Sequence, residues 1–217
     1  MKLAHVHAKP RQLEPVWHVQ AAVLAAILLQ IALNNKLSIG PKYIIGVIEV
    51  FLLVSLAILG ARAKSLRHSL AAILIGVISF ANIASLVLVI HSLFGGGRVN
   101  GKDLILSGMV IYFTNIIIFG LWYWELDSSG VQGQSTDVAP VDFLFPQMRQ
   151  PADDPIRTNW QPTFFDYVYI SITNAVAFSP NDTVPLTHRA KFLMTLQSLI
   201  SVITVALVVT RAVTILA

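Results

Sequence analysis

Residues 164–178 read FFDYVYISITNAVAF, and the polar run Ser179-Pro180-Asn181-Asp182-Thr183 follows directly. How this stretch meets a bilayer decides the fold. A helix needs about 20 mostly apolar residues to cross the hydrocarbon core, and only about 15 stand here before the polar run. The length predicts a segment that dips in and returns, or one that lies along the surface. Backbone that leaves the helix at membrane depth must be buried in protein or face a water-filled cavity. Asn174, Ser179, Asn181, Asp182 and Thr183 would supply the polar lining of such a cavity. In the interfacial alternative the same polar end sits in water.

The rest of the chain supports a membrane setting. Of 217 residues, 55% are hydrophobic and 12% charged. A soluble domain carries about 25% charged residues, so there is too little polar surface here to cover a globule. Apolar runs long enough to be crossings occupy about 17–33, 43–59, 70–94, 104–124 and 192–211. Gly40-Pro41 and Gly95-Gly96-Gly97 mark turns between them. Trp122-Tyr123-Trp124 has the composition of an aromatic belt at a membrane surface. The expected fold is all-α, a polytopic membrane protein with five transmembrane helices plus one short re-entrant or interfacial helix. Three regions follow: a four-helix transmembrane region (1–124), an acidic Pro/Gly-rich loop (125–163), and a pore-loop-like short helix with the last crossing (164–217). The polar start of the chain and the missing small-residue cleavage site predict a retained first helix.

The loop holds most of the acids. Between Glu125 and Asp166 there are seven acids and two bases, Arg149 and Arg157. Clustered acid draws cations toward a nearby mouth. The alternative is a solvated linker.

Residues 166–187, DYVYISITNAVAFSPNDTVPLT, resemble the pore loop of tetrameric potassium channels. Asp166, Tyr169, Ser171, Asp182, Pro185 and Thr187 fall at the matching places, and Arg189 and Lys191 lead into a span similar to that family's inner helix. The resemblance covers about 50 residues and implies an oligomeric pore with a monovalent cation as partner. The family's filter alternates Gly, Tyr and Gly so that backbone carbonyls can turn toward the ion. Those three positions are Ser179, Pro180 and Asn181 here, and proline cannot follow that backbone path. A potassium-type filter is therefore not expected. The whole chain also resembles a family of uncharacterised bacterial multi-pass membrane proteins, through LWYWELD, DFLFPQ and AFSPNDTVPL. That resemblance implies an inner-membrane location and no particular activity.

Two charges fall inside crossings. Glu49 lies in GVIEVFLLV with no basic neighbour in sequence. An acid there costs about 2.5–3.5 kcal/mol on insertion scales, so it is expected to be protonated or paired. Arg211, near the end of the last crossing, falls in the same half of the bilayer by crossing parity. It could pair with Glu49 or snorkel alone to the surface. Glu49 could also serve a proton- or ion-linked role. Asn82 and Asn115 are mid-helix amides suited to interhelical hydrogen bonds.

Chemistry is sparse. There is no cysteine, and the His5-x-His7 pair alone does not make a metal site. No HExxH, GxSxG or Walker A motif is present, so neither an enzyme nor a cofactor is expected. Nothing points to nucleic acid. With five crossings, one side carries Lys2, Lys9, Arg11, Arg62, Lys64, Arg67, Arg149, Arg157, Arg189 and Lys191, and the other Lys36, Lys42, Arg98, Lys102 and Arg211. The positive-inside rule then puts the N-terminus and the acidic loop in the cytoplasm, opposite to the side the channel resemblance implies. The functional expectation is an oligomeric cation-pore protein. The alternatives are a membrane scaffold or accessory subunit, and a small proton-coupled transporter using Glu49.

Overall fold

The computed structural model describes residues 17–33, 37, 42–59, 64–94, 99–132, 141–151, 154, 160–176 and 182–216. They form α1 (Trp17–Ala32), α2 (Lys42–Leu59), α3 (Lys64–Phe94), α4 (Gly101–Gln132), β1 (Phe143–Leu144), a 3-10 turn (Pro146–Arg149), α5 (Phe164–Val176), β2 (Val184–Pro185) and α6 (His188–Leu216). The fold is all-α apart from one antiparallel two-residue ladder, in which Phe143 faces Pro185 and Leu144 faces Val184.

Three stretches are long and apolar enough to cross a membrane: His68–Leu93, Gly101–Asp127 and His188–Ile215. That is the character of a membrane protein. The apolar helices Trp17–Ala32 and Ile45–Leu56 are shorter. α1, at 16 residues, is about 24 Å long at 1.5 Å per residue, against about 30 Å of hydrocarbon.

α4 is the centre of the bundle and packs against α1, α3, α5 and α6. It also runs further than the sequence suggests. The expected loop start at Glu125 lies inside the helix, and Glu125 and Asp127 are buried. α6 runs antiparallel to α4. Tyr123 meets Gln197, Asn115 meets Ser201, Gly108 meets Val208, and Gly101 meets Arg211 and Ile215.

α5 shares the α4–α6 end of the bundle. Phe164 packs edge-on against Trp124, Val168 lies over Gly120, and Ser171 bonds to the carbonyl of Ile116. Between Trp124 and Ile116, α5 therefore descends along α4 by about 12 Å. The chain is back at the starting end by Val184, because β2 pairs with β1 and Phe143 of β1 packs on Tyr123. The segment enters and leaves at one end of the bundle. With 13 residues, α5 is about 20 Å long, too short to cross.

Local sequence explains both helix starts. Asp166 closes the first turn of α5: its Oδ2 accepts from Thr163 N at 2.7 Å and from Thr163 Oγ1 at 2.8 Å. Thr187 caps α6, its Oγ1 accepting from Ala190 N at 3.2 Å.

Gly120 stands at a close approach of α5 to α4. A Cβ there would stand 3.3 Å from both Cα and Cγ2 of Val168. Gly120→Leu is expected to push α5 off α4 and cost about 1–3 kcal/mol. The measurement is unfolding of the purified protein in a mild detergent series; stability equal to wild type would contradict the close contact.

Candidate functional site: a buried polar junction at the short helix

The interior where α4, α5 and α6 meet is polar. Gln197 is fully buried, and its side chain makes four hydrogen bonds. Its Oε1 accepts from the Tyr123 hydroxyl at 2.5 Å and from Asn174 Nδ2 at 2.8 Å. Its Nε2 donates to the Ser171 carbonyl at 2.9 Å and to Ser171 Oγ at 2.7 Å. Ser171 Oγ in turn donates to the Ile116 carbonyl at 2.6 Å. Asn174 also donates to the Met194 carbonyl at 2.9 Å and accepts from Ser198 Oγ at 3.2 Å. One layer lower, Asn115 Nδ2 donates to Ser201 Oγ at 3.0 Å. Every strong donor and acceptor of Gln197 is used, so the junction fixes the depth and rotation of α5 between its neighbours.

A second network closes the bundle end above it. The Tyr167 hydroxyl donates to Asp127 Oδ2, while Asp127 Oδ1 accepts from Asp142 N at 2.9 Å. Asp142 Oδ1 accepts from the Thr187 hydroxyl, and its carbonyl accepts from Leu186 N at 2.9 Å. His68 Nδ1 is bonded to Glu125 Oε1 and joins α3 to α4. Phe143, Phe145, Tyr167, Tyr123 and Trp160 pack as an aromatic plug over this layer.

Four of the seven acids between Glu125 and Asp166 thus have structural work. Glu125, Asp127, Asp142 and Asp166 bind a histidine, a tyrosine and a backbone amide, a threonine, and the α5 cap. The aromatic belt expected at 122–124 is also turned inward. Tyr123 is fully buried, Trp122 Nε1 donates to Ser79 Oγ at 3.0 Å, and Trp124 packs on Phe164.

The residues singled out in the sequence separate. Asn174 points into the junction and is engaged there. Asp182 is exposed, and its carbonyl accepts from Arg149 Nη2 at 3.1 Å. Thr183 is buried. Ser179 and Asn181 lie outside the described residues. Glu49 is 1% exposed, and its Oε1 has no hydrogen-bond partner. Arg211 lies beside Gly101 and lines a narrow gap between α3, α4 and α6; its Nε also has no partner. No salt bridge joins Glu49 to Arg211. Asn82 bonds across to the Ile111 carbonyl at 3.5 Å, and Asn115 across to α6.

Gln197, Tyr123, Asp127, Asp142 and Tyr167 were not legible as site residues. A glutamine inside an apolar crossing is the one available signal, because such a group must find a partner on another helix. Among the described residues no group of three or more metal-ligating side chains occurs. No family model, no curated protein and no solved structure matches the chain.

Gln197→Leu removes four bonds, to Tyr123, Asn174 and Ser171. At roughly 0.6 kcal/mol per interhelical bond in a membrane setting, the expected loss is about 2 kcal/mol. Denaturant unfolding in mixed micelles measures it, and a loss well under that of a surface substitution on α6 would remove Gln197 as the hub.

Proposed function

We propose that the protein is a five-crossing membrane protein of the bacterial inner membrane whose segment 164–187 is re-entrant, and that several copies assemble around an ion-conducting path. The observation that carries this reading is the course of the chain between α4 and α6. It descends along α4, is anchored at depth by Gln197, and returns to the end where it entered. Backbone that turns inside a bilayer needs protein or water around it. One dipping segment cannot enclose a path, so the cover comes from further copies.

α5 is suited to this. Its inner face rests on α4 and α6, while Phe165, Tyr169, Ile172 and Val176 form an uncovered stripe at helical spacing. In this reading α1 and α2 complete the five crossings, and the count of ten basic residues against five puts the N-terminus in the cytoplasm. Asn174 serves as an anchor of the re-entrant helix. Asp182, exposed just before β2, favours cations; residues 179, 181 and 183 lie within three positions of it in sequence.

Purified protein in liposomes carrying a Na⁺ or K⁺ gradient is expected to dissipate it, and Asp182→Asn is expected to lower cation flux about threefold, as loss of a unit charge roughly 6 Å from the path in water would. Absence of flux in the wild type, or a strictly monomeric particle in mild detergent, overturns the pore.

A second reading rests on Glu49. A carboxyl group buried in α2 with an unpartnered oxygen suits reversible proton binding, and a proton-coupled transporter would use it. This reading requires proton-coupled uptake that Glu49→Gln abolishes while the helical content of the protein is unchanged.

A further inference from the structure

α3 and α6 both pack on α4 and touch each other only lightly, which leaves a narrow groove between them. Its floor is Leu104 and Gly108 of α4, and its walls include Val89 and Leu93 of α3 and Leu207 of α6. The lining is apolar except for Thr204 and Arg211. Thr204 spends its hydroxyl on the Ile200 carbonyl of its own helix at 2.7 Å. Arg211 has no such outlet. Its Nε is enclosed without a hydrogen-bond partner, and no salt bridge joins the guanidinium to Glu49 or to Asp103, the acid in the first turn of α4. The side chain as a whole is half-buried, so the guanidinium has one edge against the bundle and the other open.

Its depth is fixed by its neighbours. A Cβ on Gly101 would stand 3.0 Å from Arg211 Nε, and Gly101 is the first residue of the apolar stretch Gly101–Asp127. Along α6, Arg211 lies about one turn before Ile215, where the apolar stretch His188–Ile215 ends. Both relations put the guanidinium at the edge of the apolar layer, the level at which the phosphates of a bilayer lie.

We propose that this groove binds an anionic phospholipid, with Arg211 paired to the phosphate and an acyl chain lying along the apolar lips of α3 and α6. The planar guanidinium offers parallel donors that match two phosphate oxygens. Basic pockets between membrane helices take lipid headgroups in this way. A zwitterionic lipid carries its own ammonium beside the phosphate, so a lone guanidinium favours a lipid with net negative charge. The groove is narrow, and the chain lies over its mouth. The proposal needs the membrane setting of the bundle and not the pore.

The test is lipid binding by the full-length protein in neutral detergent, read by native mass spectrometry with phosphatidylglycerol and phosphatidylcholine as probes. The first bound phosphatidylglycerol is expected to be held at least about fivefold more tightly, the factor for one pair of unit charges about 4 Å apart in water. Arg211→Gln is expected to lose that preference, and Arg211→Lys, which keeps the charge, to retain most of it. Lys102→Gln removes an exposed charge from the first turn of α4 and is expected to leave the preference standing. Equal affinity of the wild type for the two lipids overturns the site, as does a preference that survives Arg211→Gln in a protein of unchanged helical content. A loss as large in Lys102→Gln marks diffuse surface charge and overturns it too. The wild-type and Lys102→Gln measurements do not depend on the folding of Arg211→Gln. Displacement of the lipid by inorganic phosphate at equal concentration would mark a site for the free anion and overturn the lipid assignment. The chain has no cysteine, so Leu207→Cys reports on another occupant: a disulfide-linked dimer on oxidation would seat a second copy in the groove and overturn the proposal.

Discussion

A polar group taken out of water must be given a partner, and the architecture follows from how this chain meets that demand at Gln197. Its amide offers two donor hydrogens and an acceptor oxygen, and all are spent on α4 and α5: Tyr123 on one, Ser171 and Asn174 on the other. Because an amide has fixed geometry, meeting these partners together allows one rotation of α6 and one depth of α5. The short helix could not hold that place by apolar packing alone. Its outer face is uncovered, and lipid competes for apolar contacts as well as leucine does.

The bundle end is built on the same economy. Acidic side chains that would be solvated in a linker instead close backbone and hydroxyl groups. Asp127 joins α4 to α5 through Tyr167 and to the chain just before β1 through the amide of Asp142. Asp142 joins that chain to the start of α6 through Thr187, which also caps the helix. An aromatic plug of Phe143, Phe145 and Trp160 covers this layer.

α4 mediates between the two halves of the molecule. It packs against α1 and α3 as well as against α5 and α6. Among the three long apolar stretches it is the most enclosed and α6 the least. An enclosed α4 makes a stable post against which α5 is set, and the open faces of α5 and α6 are the surfaces left for neighbours. Gly120 and Gly108 allow α5 and α6 to approach the post closely.

Composition and run length alone were enough to determine a helical protein of membrane character, and they predicted a short helix at 164–178, where α5 spans 13 residues. Those properties are local: hydropathy and helix rise depend only on neighbouring residues. Tertiary structure decided which polar groups meet. Asn174, read as cavity lining, faces Gln197; Tyr123, read as a belt residue, is its neighbour; Glu49 and Arg211, joined by crossing parity, stay apart. The partners of Gln197 lie 23 to 74 residues from it in the chain, and no spacing rule reaches that far. Only the packing of three helices brings a glutamine, a tyrosine, a serine and an asparagine within hydrogen-bond distance, and only there does the depth of the short helix become fixed.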